Sequence, residues 1–175
     1  VQTLSVLDYT ATAESTAVYG QATFYPGGKD SGLRLTAGGR YTWDTKSMVR
    51  RQNGAAPLAT PEQGRASYSK FTWNLMLGYD VSDQVNLYAR IATGYRSGGF
   101  NAQDPAVAGV LPSFKPENVT SYEVGLKSEL FDRKVRFNLA GYYNEYKDLA
   151  IAVPITNLAP GTFATKVTNA GKVTY

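Results

Sequence analysis

The chain of 175 residues contains no cysteine and no histidine. Without cysteine there is no disulfide framework and no thiolate metal site. Without either residue, the commonest general base, activated nucleophile and zinc ligands are missing. Neither an enzyme nor a bound cofactor is expected. Charge is also sparse: charged residues make up 18% of the chain, and the net charge of +4 is spread along it. A nucleic-acid binder gathers its lysines and arginines on one face, so no nucleic acid is expected as a partner. Long apolar runs are absent as well. The longest stretches, such as AIAVPI at Ala150–Ile155, fall far short of the roughly 20 residues of a membrane helix. A transmembrane β-barrel survives this test, because its lipid face uses only alternate residues. The chain opens on Val1, with no initiator methionine and no basic and apolar leader. A fragment or processed piece is expected.

Tyrosine at 13 and glycine at 17 are plentiful, and the pattern they sit in is strict alternation. In Asn86–Asn101, NLYARIATGYRSGGFN, the parity of Leu87, Ala89, Ile91, Thr93 and Tyr95 is apolar or aromatic, whereas Tyr88, Arg90, Gly94 and Arg96 are polar, small or basic. That is the two-residue period of a strand between two different solvents. The same period marks Leu33–Asp44, Phe71–Asp80, Thr120–Leu130 and Val135–Tyr146, more weakly Ala17–Tyr25, and a seventh strand near Phe163–Tyr175. The clear strands run to about ten residues or more, the span of a tilted membrane strand and longer than a typical globular one.

Connections alternate too. Pro26–Gly32, Val81–Asp83 and Asp132–Arg133 read as short turns, while Thr45–Ser67, Ser97–Pro116 and Lys147 to about Thr162 read as long loops. Short and long in turn is the signature of an up-and-down membrane barrel. The two-residue turn at Asp132–Arg133 predicts Leu130 opposite Val135, Leu126 opposite Leu139, Tyr122 opposite Tyr143 and Glu129 opposite Arg136. The turn at Val81–Asp83 predicts Tyr79 opposite Val85, Leu77 opposite Leu87 and Trp73 opposite Ile91. Leu35, Leu75, Ile91, Leu126 and Leu139 are then expected on one convex apolar face.

A soluble sandwich or propeller also alternates, and aromatic placement separates the two. Tyr41, Trp43, Phe71, Trp73, Tyr95, Tyr122 and Tyr143 fall at the strand ends joined to long loops, and Phe24, Tyr79 and Phe131 near short turns. Such paired belts belong to a lipid-facing barrel. The fold class expected is all-β: a partial antiparallel up-and-down transmembrane β-barrel of about seven sequential strands. A porin, an adhesin barrel and a soluble extracellular binding module stay open as alternatives.

The segment NLYARIATGYRSGGFN, followed by FKPENVTSYEVGLKSELFDRKVRFNLAGYYNEYKDLAI at Phe114–Ile151, resembles the later barrel strands of TonB-dependent outer-membrane receptors. YGQATFY and NAGKV fit neighbouring strands more weakly. The resemblance implies that residues 1–175 are part of a barrel of about 22 strands, lacking the plug domain, the box that engages TonB and the final strand. It also implies import of a scarce nutrient such as a ferric siderophore into a bacterial cell.

At the base of an outer loop, Arg96, Phe100 and Asn101 are candidate ligand contacts, with strand capping and loop packing as their plainer roles. Arg40, Arg90, Glu123, Lys127, Glu129 and Arg136 are expected to line the lumen, pairing with one another or gripping a plug. The basic stretch SMVRRQNG (Ser47–Gly54) is a candidate for an anionic chelate or a lipopolysaccharide phosphate, or a solvated run. GGKDSG lacks the spacing of a phosphate loop, and Asn118-Val119-Thr120 is a sequon left unmodified in a bacterial outer membrane.

Overall fold

A computed structural model describes residues 6–104, 109–155 and 164–175. Seven strands form one antiparallel sheet: β1 (Val6–Phe24), β2 (Leu33–Gly54), β3 (Pro57–Ser82), β4 (Val85–Arg96), β7 (Glu117–Leu130), β8 (Val135–Pro154) and β9 (Thr165–Thr174). Their order in space is their order in sequence. A two-stranded ribbon, β5 (Gly99–Phe100) and β6 (Ser113–Phe114), is nested in the β4–β7 connection.

The burial of this sheet is inside out. Among the described residues, the buried hydrophobic side chains are Met48 and Leu111, whereas the buried polar ones include Thr36, Thr42, Asp44, Arg50, Glu62 and Ser128. Leu75, Leu77, Ile91, Val124 and Leu139 are exposed. The five expected leucine and isoleucine positions share the apolar parity, and no second sheet covers them among the described residues. A protein core reverses this distribution; a strand wall between lipid and a wet lumen requires it.

Aromatic rings border the apolar band. Tyr41 and Trp43 stack at 4.6 Å and Tyr122 meets Tyr143 at 6.2 Å at one edge, with Phe24, Tyr79 and Phe131 exposed at the other. From Phe71 to Tyr79, at about 3.3 Å per residue and a tilt of about 40°, the band is roughly 20 Å tall, near the usual height of about 25 Å.

The hairpin at Phe131–Lys134 has the predicted register throughout, from Leu130 opposite Val135 to Tyr122 opposite Tyr143. At the other short turn the expected register is two residues out. Tyr79 faces Leu87, Leu77 faces Ala89 and Leu75 faces Ile91, because the turn sits at Asp83–Gln84, between the paired Ser82 and Val85, and not at 81–83, while the extra residue Val81 in β3 takes back one residue of that shift. A slip of two keeps every side chain on its face.

Two expected long loops are largely strand. β2 and β3 run on through most of 45–67 to a tight tip after Gly54, and β8 continues to Pro154, the remainder of that loop lying partly outside the described residues. β1 is likewise longer than expected, and β9 starts at Thr165, Phe163 lying outside the described residues. Above the aromatic belt the outer face of a strand no longer meets lipid, so the apolar stripe that marks a strand is lost while its hydrogen-bond ladder persists.

Candidate functional site

The inner face carries two polar clusters, one at each end. Toward the short turns, Arg34 pairs with Asp80, and Asn86 donates to the same carboxylate at 2.9 Å. One strand further along, the Tyr88 hydroxyl donates to Glu123 Oε1 at 2.6 Å, and Lys127 lies 5.4 Å from the Tyr88 ring centre. Glycines make this possible. A Cβ on Gly125 would stand 2.4 Å from the Tyr88 ring, and one on Gly78 would meet the Arg34 guanidinium at 3.3 Å. Long side chains therefore lie flat along the wall of the lumen.

Of the expected lumen residues, Glu129 and Arg136 pair at 2.7 Å, with Arg133 3.4 Å from the same carboxylate. Arg90 faces Glu123 across the β4–β7 ladder, though the carboxylate is held by Tyr88. Arg40 stands apart, bonded to Thr42 at 3.0 Å with its guanidinium 5.9 Å from the Tyr19 ring. Arg34, Asp80 and Tyr88 were not singled out in the sequence. Their signal was the polar parity itself, on strands where small neighbours leave room for a flat side chain.

At the outer end, β4 and β7 are short, whereas β2–β3 and β8–β9 rise past them. The described residues of the β4–β7 connection, 97–104 and 109–116, sit in the resulting notch on the inner face. Arg50, 2% exposed, donates from Nε to Glu62 at 2.6 Å and from Nη1 to the carbonyls of Ala102 and Asp104 at 2.9 and 2.8 Å. The other oxygen of Glu62 accepts from the Gly109 amide at 3.0 Å. Phe100 packs over Gly64, where a Cβ would be 2.5 Å from its ring.

On the opposite side, the Asn101 side chain bonds both backbone groups of Val167, at 2.7 and 2.9 Å. Gln103 accepts from the Thr165 amide, and Asn169 clasps both backbone groups of Lys115. Asn101 and Phe100 are thus engaged in seating the loop. Arg96 is 59% exposed, 3.8 Å from Glu117, whose second oxygen accepts from the Ala150 amide. The three candidate contacts share a loop but do not converge on one point.

Tyr95 departs from the expected aromatic belt. The β3–β4 ladder ends at Asn74–Ala92, and the Trp73 amide turns to the Thr93 hydroxyl at 2.8 Å. Freed from β3, the end of β4 bends inward, and the Tyr95 hydroxyl is buried beside Asp44 and Tyr68. Outside the aromatic belt, Lys172 binds Glu145 at 2.7 Å. That bond holds the Glu145 carboxyl below, and the Lys172 ammonium above, its ordinary range.

The family model of the TonB-dependent receptor-like β-barrel matches residues 2–175. The pesticin receptor of Yersinia enterocolitica is 30% identical over 150 residues, 85% of this chain and 21% of the relative. The vitamin B12 transporter BtuB of Vibrio vulnificus is 38% identical over 78 residues, 45% of this chain and 12% of the relative. Among solved structures, the ferric yersiniabactin uptake receptor FyuA from Yersinia pestis superposes with a TM-score of 0.71 at 26% identity, covering 94% of this chain and 23% of that one. The alcaligin outer-membrane receptor FauA from Bordetella pertussis shares the fold, with a TM-score of 0.60 at 20% identity over 95% of this chain and 26% of that one. The chain spans between about an eighth and a fifth of the length of the curated relatives it matches, 12% and 21%. With its inside-out sheet, paired aromatic belts and polar inner wall, the chain belongs to the TonB-dependent receptors of the bacterial outer membrane, and its residues form part of their β-barrel.

Proposed function

We propose that the chain is part of the barrel of a receptor that imports a scarce chelated nutrient, a ferric siderophore first, with energy delivered through TonB acting on a plug domain of the full-length protein. The observation that carries this reading is the polar and charged inner wall beneath an outer mouth walled by tall hairpins. A wall of this kind suits passage of a polar cargo past a hydrated plug, and no bond to the cargo is made or broken. Arg96 is an exposed cation near the mouth and the first candidate to meet an anionic chelate, while the outer wall contacts lipid and lipopolysaccharide.

The test uses the full-length receptor as the sole receptor of an iron-starved bacterial strain, supplied with radiolabelled ferric catecholate, hydroxamate and phenolate siderophores. Accumulation of one class that stops when TonB is deleted supports the proposal. Uptake unaffected by TonB deletion would make the protein a passive pore. Binding without any uptake would make it an adhesin-type surface barrel.

A further inference from the structure

The two described parts of the β4–β7 loop, residues 97–104 and 109–116, have the geometry of a strap, and we propose that they stay permanently seated across the inner face, joining the β2–β3 hairpin to β9, with Arg50 as the residue that positions them. Three observations converge. First, Arg50 is nearly inaccessible, and its planar fork is filled in three directions: Glu62 through Nε and Nη2, and the carbonyls of Ala102 and Asp104 through Nη1. If the loop let go, Nη1 would lose both of its carbonyls and Glu62 its bond from the Gly109 amide, three hydrogen bonds made to charged groups. A lysine has no fork with which to replace the guanidinium.

Second, the loop is tied at both flanks, not at one. Asn53 donates to the Gln103 carbonyl at 3.3 Å on the β2 side. Asn101, Gln103 and Lys115 are bonded to Val167, Thr165 and Asn169 on the β9 side. Third, the two buried hydrophobic side chains of the described residues both lie here, Met48 on β2 and Leu111 in the loop. With Phe100 over Gly64 and Gly98 against Tyr68, the strap has a small core of its own, on the face of the sheet opposite the apolar band. A mobile loop has few buried contacts and exposed backbone; this one has the reverse. The wall of the mouth between β3 and β8 is therefore fixed, and any opening has to occur at other connections of the barrel.

The experiment is double electron–electron resonance on the full-length receptor in outer-membrane vesicles, with spin labels at the exposed pairs Gln63/Ser113 and Ser113/Thr168. No ligand is added, so the outcome stands independently of the transport reading. One narrow distance is expected for each pair. Arg50→Met and Arg50→Lys should both broaden the Gln63/Ser113 distance, while the folded, heat-modifiable band on a gel is kept. Asn101→Ala should broaden Ser113/Thr168. Should Arg50→Met fail to fold, Asn101→Ala decides alone. Broad distances in the unsubstituted protein, or narrow ones surviving Arg50→Met or Asn101→Ala, overturn the proposal.

Discussion

Tyr88 crosses the β4–β7 seam to Glu123, its hydroxyl 2.6 Å from the carboxylate and its ring lying over the backbone of Gly125. The missing side chain of one residue is what lets the other lie down. Replacing Gly125 by alanine should lift the ring, break the bond to Glu123 and destabilise the barrel by about 1 to 3 kcal/mol, the usual range for overpacking. Denaturant titration of the full-length receptor refolded in lipid vesicles measures this. Gly141, with nothing within 4 Å of its added Cβ, should accept alanine with little change.

Charge on the two faces should be tolerated very differently. Leu126 is paired with Leu87 and Leu139 near the middle of the apolar band. Leu126→Arg should therefore cost about 2 to 4 kcal/mol in vesicles. Asn138→Arg, on the inner parity of the neighbouring strand, should cost clearly less. Equal costs would mean that the exposed leucines do not face lipid.

The turn at Phe131–Lys134 holds Phe131, Asp132 and Arg133 at φ of 54°, 55° and 66°. Left-handed backbone costs a non-glycine residue about 1 to 2 kcal/mol, and a glycine gives back part of that through its greater freedom when unfolded. Arg133→Gly should stabilise the hairpin by about 0.5 to 1 kcal/mol, and β-branched Arg133→Val should weaken it. The same vesicle titration reads both, and a loss of stability with glycine would count against the turn geometry.

The bond between Glu145 and Lys172 gives opposite signs at the two ends of the pH scale. Glu145 has its pKa lowered, so its contribution is complete above the ordinary carboxylate range and is lost as acid protonates it below that range. Lys172 has its pKa raised, so its contribution is complete below the ordinary lysine range and is lost as alkali deprotonates it above that range. The difference in unfolding midpoint between the parent and Glu145→Gln should be flat through neutral pH and shrink below about pH 4 and above about pH 10.5. A difference that varies between pH 6 and 8 would mean that another group is responsible.

Much of the sheet was legible because membrane strands report their two solvents residue by residue. The Leu130–Val135 hairpin could be registered from sequence because its turn has two residues and its ladder has no bulge. The Tyr79–Leu87 hairpin is two residues away from the expected register because its turn closes between Ser82 and Val85 and Val81, an ordinary strand residue by type, bulges out to restore the faces. The tips of β2, β3 and β8 were read as loops because the loss of lipid from the outer face removes the alternation while leaving the hydrogen bonds. Tyr95 was placed in the belt by parity, which holds only while a strand keeps its neighbour. The strap was invisible: Arg50 meets Asp104, and Asn101 meets Val167, across separations that leave no local pattern.

Those separations also order the assembly of the barrel in time. Each strand of the main sheet pairs with the main-sheet strand before it in sequence, so the ladder can grow one hairpin at a time, with the longest closure at the β4–β7 connection. The clasp between Asn101 and Val167 cannot close until β9 is in place, after the whole of β7 and β8 has been laid down. Until then the strap has its Arg50 side to rest on and hangs free on the other. Seating of the strap on this side thus depends on β9, two strands beyond the one that follows the loop in sequence.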